Sequence, residues 1–226
     1  LTAELAKRAE KVVAVEVDSA LIPVLGETLA EYENVEILNA DFMKLDLPVL
    51  IREKFGGMPF AVCANLPYYI TTPVLMRILE ANTGAKSVTV MVQKEAADRF
   101  LARPGTRESE AGTVLLHYFC EPEVLFGVSR EWFFPSPKCD SVVLKCVPHE
   151  QPPAVPKDER RFLSVVKAAF LQRRKTLANS LSAGLGIDKA LASAAIAGCG
   201  LSPTVRAEEL TLPDFAALSD RLTDDA

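Results

Sequence analysis

Phe60-Ala61-Val62-Cys63-Ala64-Asn65-Leu66-Pro67-Tyr68 is the stretch on which the reading of this chain turns. Its first five residues form an apolar run of the length of a buried strand. The next four place a polar amide, a proline and an aromatic ring at that strand's C-terminal end, where open α/β sheets bind ligands. The chemistry of those four suits an exocyclic amine. The Asn65 side-chain carbonyl and the Leu66 backbone carbonyl can both accept from one NH2 group. Pro67 offers no N–H and restricts the backbone, and Tyr68 can present a ring face to a flat base. The plain alternative is a turn after a strand, since Asn and Pro favour turns for local reasons.

Working outward, the pattern alternates. Leu1–Arg8 is helical in composition, Lys11–Glu16 reads as a strand, and Ser19 is placed to cap a helix reaching Tyr32. Asn34–Leu38 is a second strand, closed by the polar turn Asn39-Ala40-Asp41. Pro48–Lys54 is a short helix, Pro59–Ala64 a third strand, and Thr71 or Thr72 caps a helix that begins at Pro73 and runs to Ala81. Ser87–Val92 is a fourth strand, and Val114–Phe119, Val124–Val128 and Ser141–Val147 read as closing strands. Strands alternating with helices predict an α/β fold with a parallel sheet. Four prolines within Pro148–Pro156 mark a linker, which divides the chain into residues 1–150 and 151–226. Beyond it the periodicity is helical, over Asp158–Phe170, Arg173–Ala183, Asp188–Ala197 and Pro213–Leu222. That second unit is small for a core of its own and is expected to pack on the first.

The 226 residues, 49% hydrophobic, can bury a core, and no apolar run approaches the length of a membrane span. Five cysteines without a CxxC pair disfavour a disulfide framework or structural zinc and suit a reducing compartment. Two histidines make a His-based metal cluster improbable, so no metal is expected. The net charge of −5 argues against nonspecific nucleic-acid binding. Yet the stretch from Lys157 to Ser182 carries seven basic and two acidic residues, a local balance of +5 that includes Arg173, Arg174 and Lys175.

Two acidic residues extend the strand-end pattern. Glu16 closes the first strand, where a carboxylate can accept from both hydroxyls of a ribose. Asp41 follows the second, able to accept from an adenine amino group, with Phe42 beside it to cover the base. The plain alternatives are a solvated carboxylate, an Asx turn and a core ring. Glu16, Asp41 and Asn65 nevertheless fall at the ends of three successive strands, expected along one edge of one sheet. No glycine-rich turn precedes the first helix; a nucleotide-binding α/β domain ordinarily has a strand and a Gly-x-Gly turn there.

Taken together, the ordered motifs resemble those of the KsgA/RsmA dimethyladenosine transferases of small-subunit ribosomal RNA and, more distantly, of the Erm methyltransferases. The matching segments are Leu1 to Ala6, Val15-Glu16-Val17-Asp18, Asn39-Ala40-Asp41, Asn65-Leu66-Pro67-Tyr68, Val92 to Glu95, Phe133 to Ser141, Phe170 to Leu181, and Gly200 to Glu208. The resemblance implies a Rossmann-like S-adenosylmethionine-dependent methyltransferase sheet with a small all-helical C-terminal domain that binds RNA or the ribosome. It implies methyl transfer to N6 of two adjacent adenosines of 16S rRNA; a cytoplasmic location and a monomer are the default expectations. Residue by residue, Glu16 takes the cofactor ribose and Asp41 its adenine, with Phe42 and Asn65 also on the cofactor side. Asn65 and the Leu66 carbonyl orient the target N6, with Pro67 in the same catalytic segment. Tyr68 and Phe133 stack on the target base, with Phe134 a rival for Phe133, and Arg173, Arg174 and Lys175 face RNA.

The chain departs from the pattern in three places. The expected glycine turn is absent, so it reads as N-terminally truncated, and a non-catalytic assembly factor is an alternative to the enzyme, as is an Erm-like enzyme acting on 23S rRNA. Ser109-Glu110 stands where the family usually has Tyr-Gly, and Cys139 replaces the usual valine before Asp140-Ser141.

Overall fold

A computed structural model describes residues 1–224. The chain divides into two units, residues 1–60 with 81–84, and residues 61–80 with 85–226. In the first unit, helix α1 (Thr2–Ala6) leads into strand β1 (Val12–Glu16), followed by α2 (Ile22–Thr28), β2 (Val35–Asn39) and α3 (Leu47–Phe55). β1 and β2 run parallel, from Val12 opposite Val35 to Glu16 opposite Asn39. Asn34 ties this unit together, its Nδ2 donating to the carbonyls of Ala6 and Ala9 at 2.8 Å each. α3 is capped by Asp46, which accepts from Val49 N at 3.1 Å, so a carboxylate satisfies one of the open N–H groups at the helix start.

The second unit opens with β3 (Val62–Asn65) and α4 (Tyr68–Glu80), then β4 (Val88–Gln93), α5 (Lys94–Leu101), α6 (Ala111–Phe119), β5 (Cys120–Val128) and β6 (Ser141–Pro148). Its sheet has the order β3-β4-β6-β5. β3 and β4 are parallel, while β6 is antiparallel to both β4 and β5. Helices α7 (Glu159–Ala169), α8 (Leu177–Leu185), α9 (Lys189–Gly198) and α10 (Leu212–Asp224) follow. One apolar core joins Val114, Leu115 and Tyr118 of α6 to Phe162, Val165, Leu177, Leu181, Ile196, Phe215 and Leu218. Fully buried rings such as Phe162 and Phe215 are each worth about 3–5 kcal/mol against truncation to alanine. Gly184 lets α8 approach α7: a Cβ there would lie 2.6 Å from the Ala168 Cβ. The Tyr118 hydroxyl donates to Glu159 at 3.2 Å, and burial with the neighbouring carboxylate pushes its pKa up to about 12.

Several sequence expectations are corrected. The strands ending near Glu16, Asp41 and Asn65 do not share one hydrogen-bonded sheet: β1 and β2 pair with each other, and β3 belongs to the four-stranded sheet. Apolar patterning identifies a strand but not its neighbours. Val114–Phe119 lies in α6, not in a strand. Its consecutive positions Val114, Leu115 and Leu116 are all buried, and a short apolar run buried on every side has no period to distinguish helix from strand. Helix α4 begins at Tyr68, so Pro73 lies inside it. Thr71 is not a cap; its hydroxyl donates back to the Pro67 carbonyl at 3.1 Å. Asp18 rather than Ser19 is the capping side chain near α2, accepting from Ala20 N at 2.9 Å over a single 3-10 turn. Finally, α8 begins at Leu177, which leaves Arg173, Arg174 and Lys175 in the turn before it. Good helix formers are overruled there because Leu177 is fully buried and its N–H is drawn to the Val205 carbonyl at 2.8 Å.

Candidate functional site

In the four-stranded sheet, the C-terminal ends of β3, β4 and β5 and the N-terminal end of β6 share one edge, because β6 alone runs the other way. Asn65 is the last residue of β3, opposite Met91; Gln93 ends β4 opposite Ser141; Ser141 opens β6 opposite Val128. The loop from Ser129 to Asp140 leaves and returns at that same edge. Asn65-Leu66-Pro67-Tyr68 and the two ends of the loop that carries Phe133 thus lie at one edge of one sheet.

The Asn65 side chain is exposed and hydrogen-bonds to none of the described residues. The Leu66 carbonyl likewise has no donor among them, since the first turn of α4 closes instead on Pro67, whose carbonyl accepts from Ile70 N at 3.1 Å. Two neighbouring acceptors are therefore open at the strand end. Tyr68 is fixed: its hydroxyl lies 2.6 Å from the Ser141 hydroxyl, and Ser141 is buried. Burial pushes up the thiol of Cys63, two residues before Asn65.

The Phe133 loop is braced from its own polar groups. Arg130 N donates to Asp140 Oδ1 at 3.1 Å, Arg130 Nη1 to the Lys138 carbonyl at 3.1 Å, and Ser136 Oγ to the Arg130 carbonyl at 3.0 Å. The Asp140 carbonyl in turn accepts from Lys94 N at 3.0 Å, binding the loop base to the end of β4. Phe133 is half-buried, whereas its rival Phe134 is fully exposed and Trp132 is 84% exposed. The Phe134–Pro135 peptide is cis.

In the other unit, Glu16 Oε1 accepts from Asp18 N at 2.8 Å, and the Glu16 carbonyl accepts from Ala40 N at 3.0 Å and from Asn39 Nδ2 at 2.9 Å. Asp41 Oδ1 accepts from Met43 N at 2.9 Å, and Lys44 lies 3.5 Å from Oδ2. Asp41 therefore forms an Asx turn, with Phe42 half-buried beside it. Each carboxylate keeps one oxygen clear of backbone bonds, which fits an acceptor for hydroxyl or amino donors of a nucleoside cofactor.

Among the basic residues, Arg173 Nη1 donates to Glu110 in a short ion pair, while no carboxylate among the described residues pairs with Arg174 or Lys175. No group of three His, Cys, Asp or Glu among the described residues is arranged to hold a metal ion, and no described helix is long and apolar enough to cross a membrane.

Sequence reasoning gave Ser141 and Asp140 no role of their own. Their positions in the Pro-x-Pro-Lys-Cys-Asp-Ser segment were the only signal, and nothing in periodicity reveals that one holds Tyr68 and the other the Phe133 loop.

The ribosomal RNA adenine dimethylase family matches residues 1–224. Curated proteins named ribosomal RNA small subunit methyltransferase A are similar to the chain. The protein from Alkaliphilus oremlandii is 44% identical over 223 residues, covering 98% of this chain and 78% of its own length. That from Geobacillus thermodenitrificans is 42% identical, with 98% and 77% covered. Among solved structures, the 23S rRNA methyltransferase ErmE superposes with a TM-score of 0.64 at 28% identity, covering 98% of this chain and 86% of that one. A dimethyladenosine transferase from Plasmodium falciparum shares the fold, with a TM-score of 0.68 at 23% identity, covering 96% and 83%. The α/β architecture is therefore that of Rossmann-like methyltransferases.

Proposed function

Since the chain belongs to the ribosomal RNA adenine dimethylase family, we propose that it transfers methyl groups from S-adenosylmethionine to N6 of two adjacent adenosines in 16S rRNA. The observation that carries the site assignment is the open pair of acceptors, the Asn65 amide and the Leu66 carbonyl, beside a tyrosine whose ring is fixed through Ser141.

Adenine N6 is a weak nucleophile because its lone pair is delocalised into the ring. Asn65 Oδ1 and the Leu66 carbonyl accept its two N–H groups, turn the lone pair out of the ring plane and stabilise the positive charge that develops on nitrogen. The cofactor supplies an electrophilic methyl group on a sulfonium sulfur. Glu16 holds its ribose hydroxyls and Asp41 its adenine amino group, with Phe42 against that base. Tyr68 and Phe133 stack on the target adenine, which must leave its helix or stack to enter; each face returns about 1–3 kcal/mol. No strong base is needed before attack, since nitrogen becomes acidic once alkylated, and positioning supplies most of the remainder.

In this reading residues 1–150 form the methyltransferase domain and 151–226 a helical domain that meets RNA through Arg173, Arg174 and Lys175. The partner is the small ribosomal subunit, met in the cytoplasm during its assembly by a monomer of this protein. A large-subunit target is the second reading, favoured by the likeness to a 23S rRNA methyltransferase.

Incubating the chain with labelled S-adenosylmethionine and, in parallel, unmethylated small and large subunits, then digesting each RNA for mass spectrometry, separates them. N6,N6-dimethyladenosine in 16S rRNA is expected. Label appearing only in 23S rRNA favours the second reading, and label in neither overturns both.

A further inference from the structure

The basic turn between α7 and α8 meets one acidic residue, Glu110, at the start of α6. Arg173 Nη1 donates to Glu110 Oε1, and Arg99 Nη1 lies 3.7 Å from Glu110 Oε2. One carboxylate thus lies between guanidinium groups from α5 and from the turn. None of the three is deeply buried: Glu110 is 30% exposed, Arg99 46% and Arg173 53%. Arg99 is anchored independently, through Glu95 at 3.0 Å and through its own carbonyl, which accepts from Thr113 Oγ1 at 2.8 Å. Thr113 Oγ1 in turn accepts from Glu110 N at 3.1 Å, half of a capping box in which the Glu110 side chain also takes part.

Two guanidinium forks converging on one oxyanion are the donor set for a phosphate. A carboxylate in that position is a resident substitute. An ion pair this exposed contributes little to stability, so the exchange of one oxyanion for another is energetically shallow. Arg174 and Lys175, which have no carboxylate partner among the described residues, continue the same turn and supply further positive charge.

We propose that Arg99 and Arg173 form a binding site for one RNA backbone phosphate, and that Glu110 fills this site in the free protein and competes with RNA for it. The inference rests on the reading that the chain acts on ribosomal RNA, and deepens it by naming a phosphate site and the residue that moderates its affinity. Glu110 keeps Arg173 neutralised until RNA arrives, which lowers the electrostatic share of binding and so favours structured over indiscriminate RNA.

The test is affinity for 16S rRNA across about 50–200 mM salt. Glu110→Gln, near in shape but uncharged, is expected to bind about 2–5-fold tighter at the low end, with a salt slope steeper by about one. Glu110→Asp, which keeps the charge, should behave like the native chain. In Glu110→Gln combined with Arg173→Ala the gain should vanish, because the coupling runs through Arg173. Unchanged or weaker binding by a folded Glu110→Gln overturns the proposal and makes Glu110 a brace for the turn. A native chain that binds no 16S rRNA at all removes the underlying reading as well, so the two failures are distinguishable.

Discussion

The strand ends of the two units differ in how their polar side chains are engaged. In the first unit the acids close their own turns: Glu16 accepts from Asp18 N and Asp41 from Met43 N. In the second unit the strand-end amide of Asn65 accepts from no described residue, and rigidity is supplied by its neighbour Tyr68 through Ser141. A carboxylate has lone pairs to spare, so one oxygen can order the turn while the other meets a ligand. An amide has a single acceptor oxygen, and a turn bond would take one of its two lone pairs and fix its direction. The difference teaches that charge and turn-building go together at one rim, while the other keeps its acceptor open and builds its rigidity elsewhere.

The sharpest break in this comparison is Asn65→Ala. If the open amide stabilises charge on N6, methyl transfer should fall by about 10²–10³-fold. The melting temperature should hold, because the amide bonds to nothing in the described structure. Single-turnover methylation of 16S rRNA measures the first and a thermal melt the second; retained turnover removes Asn65 from the mechanism.

Glu16→Gln probes the strand ends of the first unit with a smaller effect. Gln keeps an acceptor for Asp18 N, so the turn survives, but charge-assisted bonds to ribose hydroxyls are lost. At about 1.5–3 kcal/mol for such bonds, cofactor affinity by titration calorimetry should drop about 10–100-fold. A loss of melting temperature with unchanged affinity would instead make Glu16 a turn residue only.

Much of the rim was legible in sequence because strand-end chemistry is local: an apolar run followed by Asn-Leu-Pro-Tyr places Asn65 at the end of β3 without any knowledge of its neighbours. What was not legible depends on distant partners. Tyr68 and Ser141 are 73 residues apart, and no pattern around Tyr68 names the serine. Likewise the Arg173-Arg174-Lys175 run has helical composition, and only the Leu177–Val205 contact explains why it lies in a turn. Sheet membership was misread for the same reason, since the β1–β2 and β3–β4 ladders are long-range facts.

Tyr68→Phe is the finest instrument for the comparison, because it removes only what the second rim uses in place of a turn bond. The ring remains, so the stacking worth about 1–3 kcal/mol is kept, and Tyr68→Ala should be the more damaging change. Losing the hydroxyl leaves Ser141, 1% exposed, with a buried oxygen lacking its partner, at a cost of about 1–3 kcal/mol in stability. Activity should fall only several-fold, because the ring loses its tether rather than its face. Adding Ser141→Ala removes the stranded hydroxyl and should restore melting temperature without restoring rate. That split between stability and turnover is what a tethering bond implies and a mere packing contact does not. Equal recovery of both would place the Tyr68–Ser141 pair in the fold rather than in the chemistry.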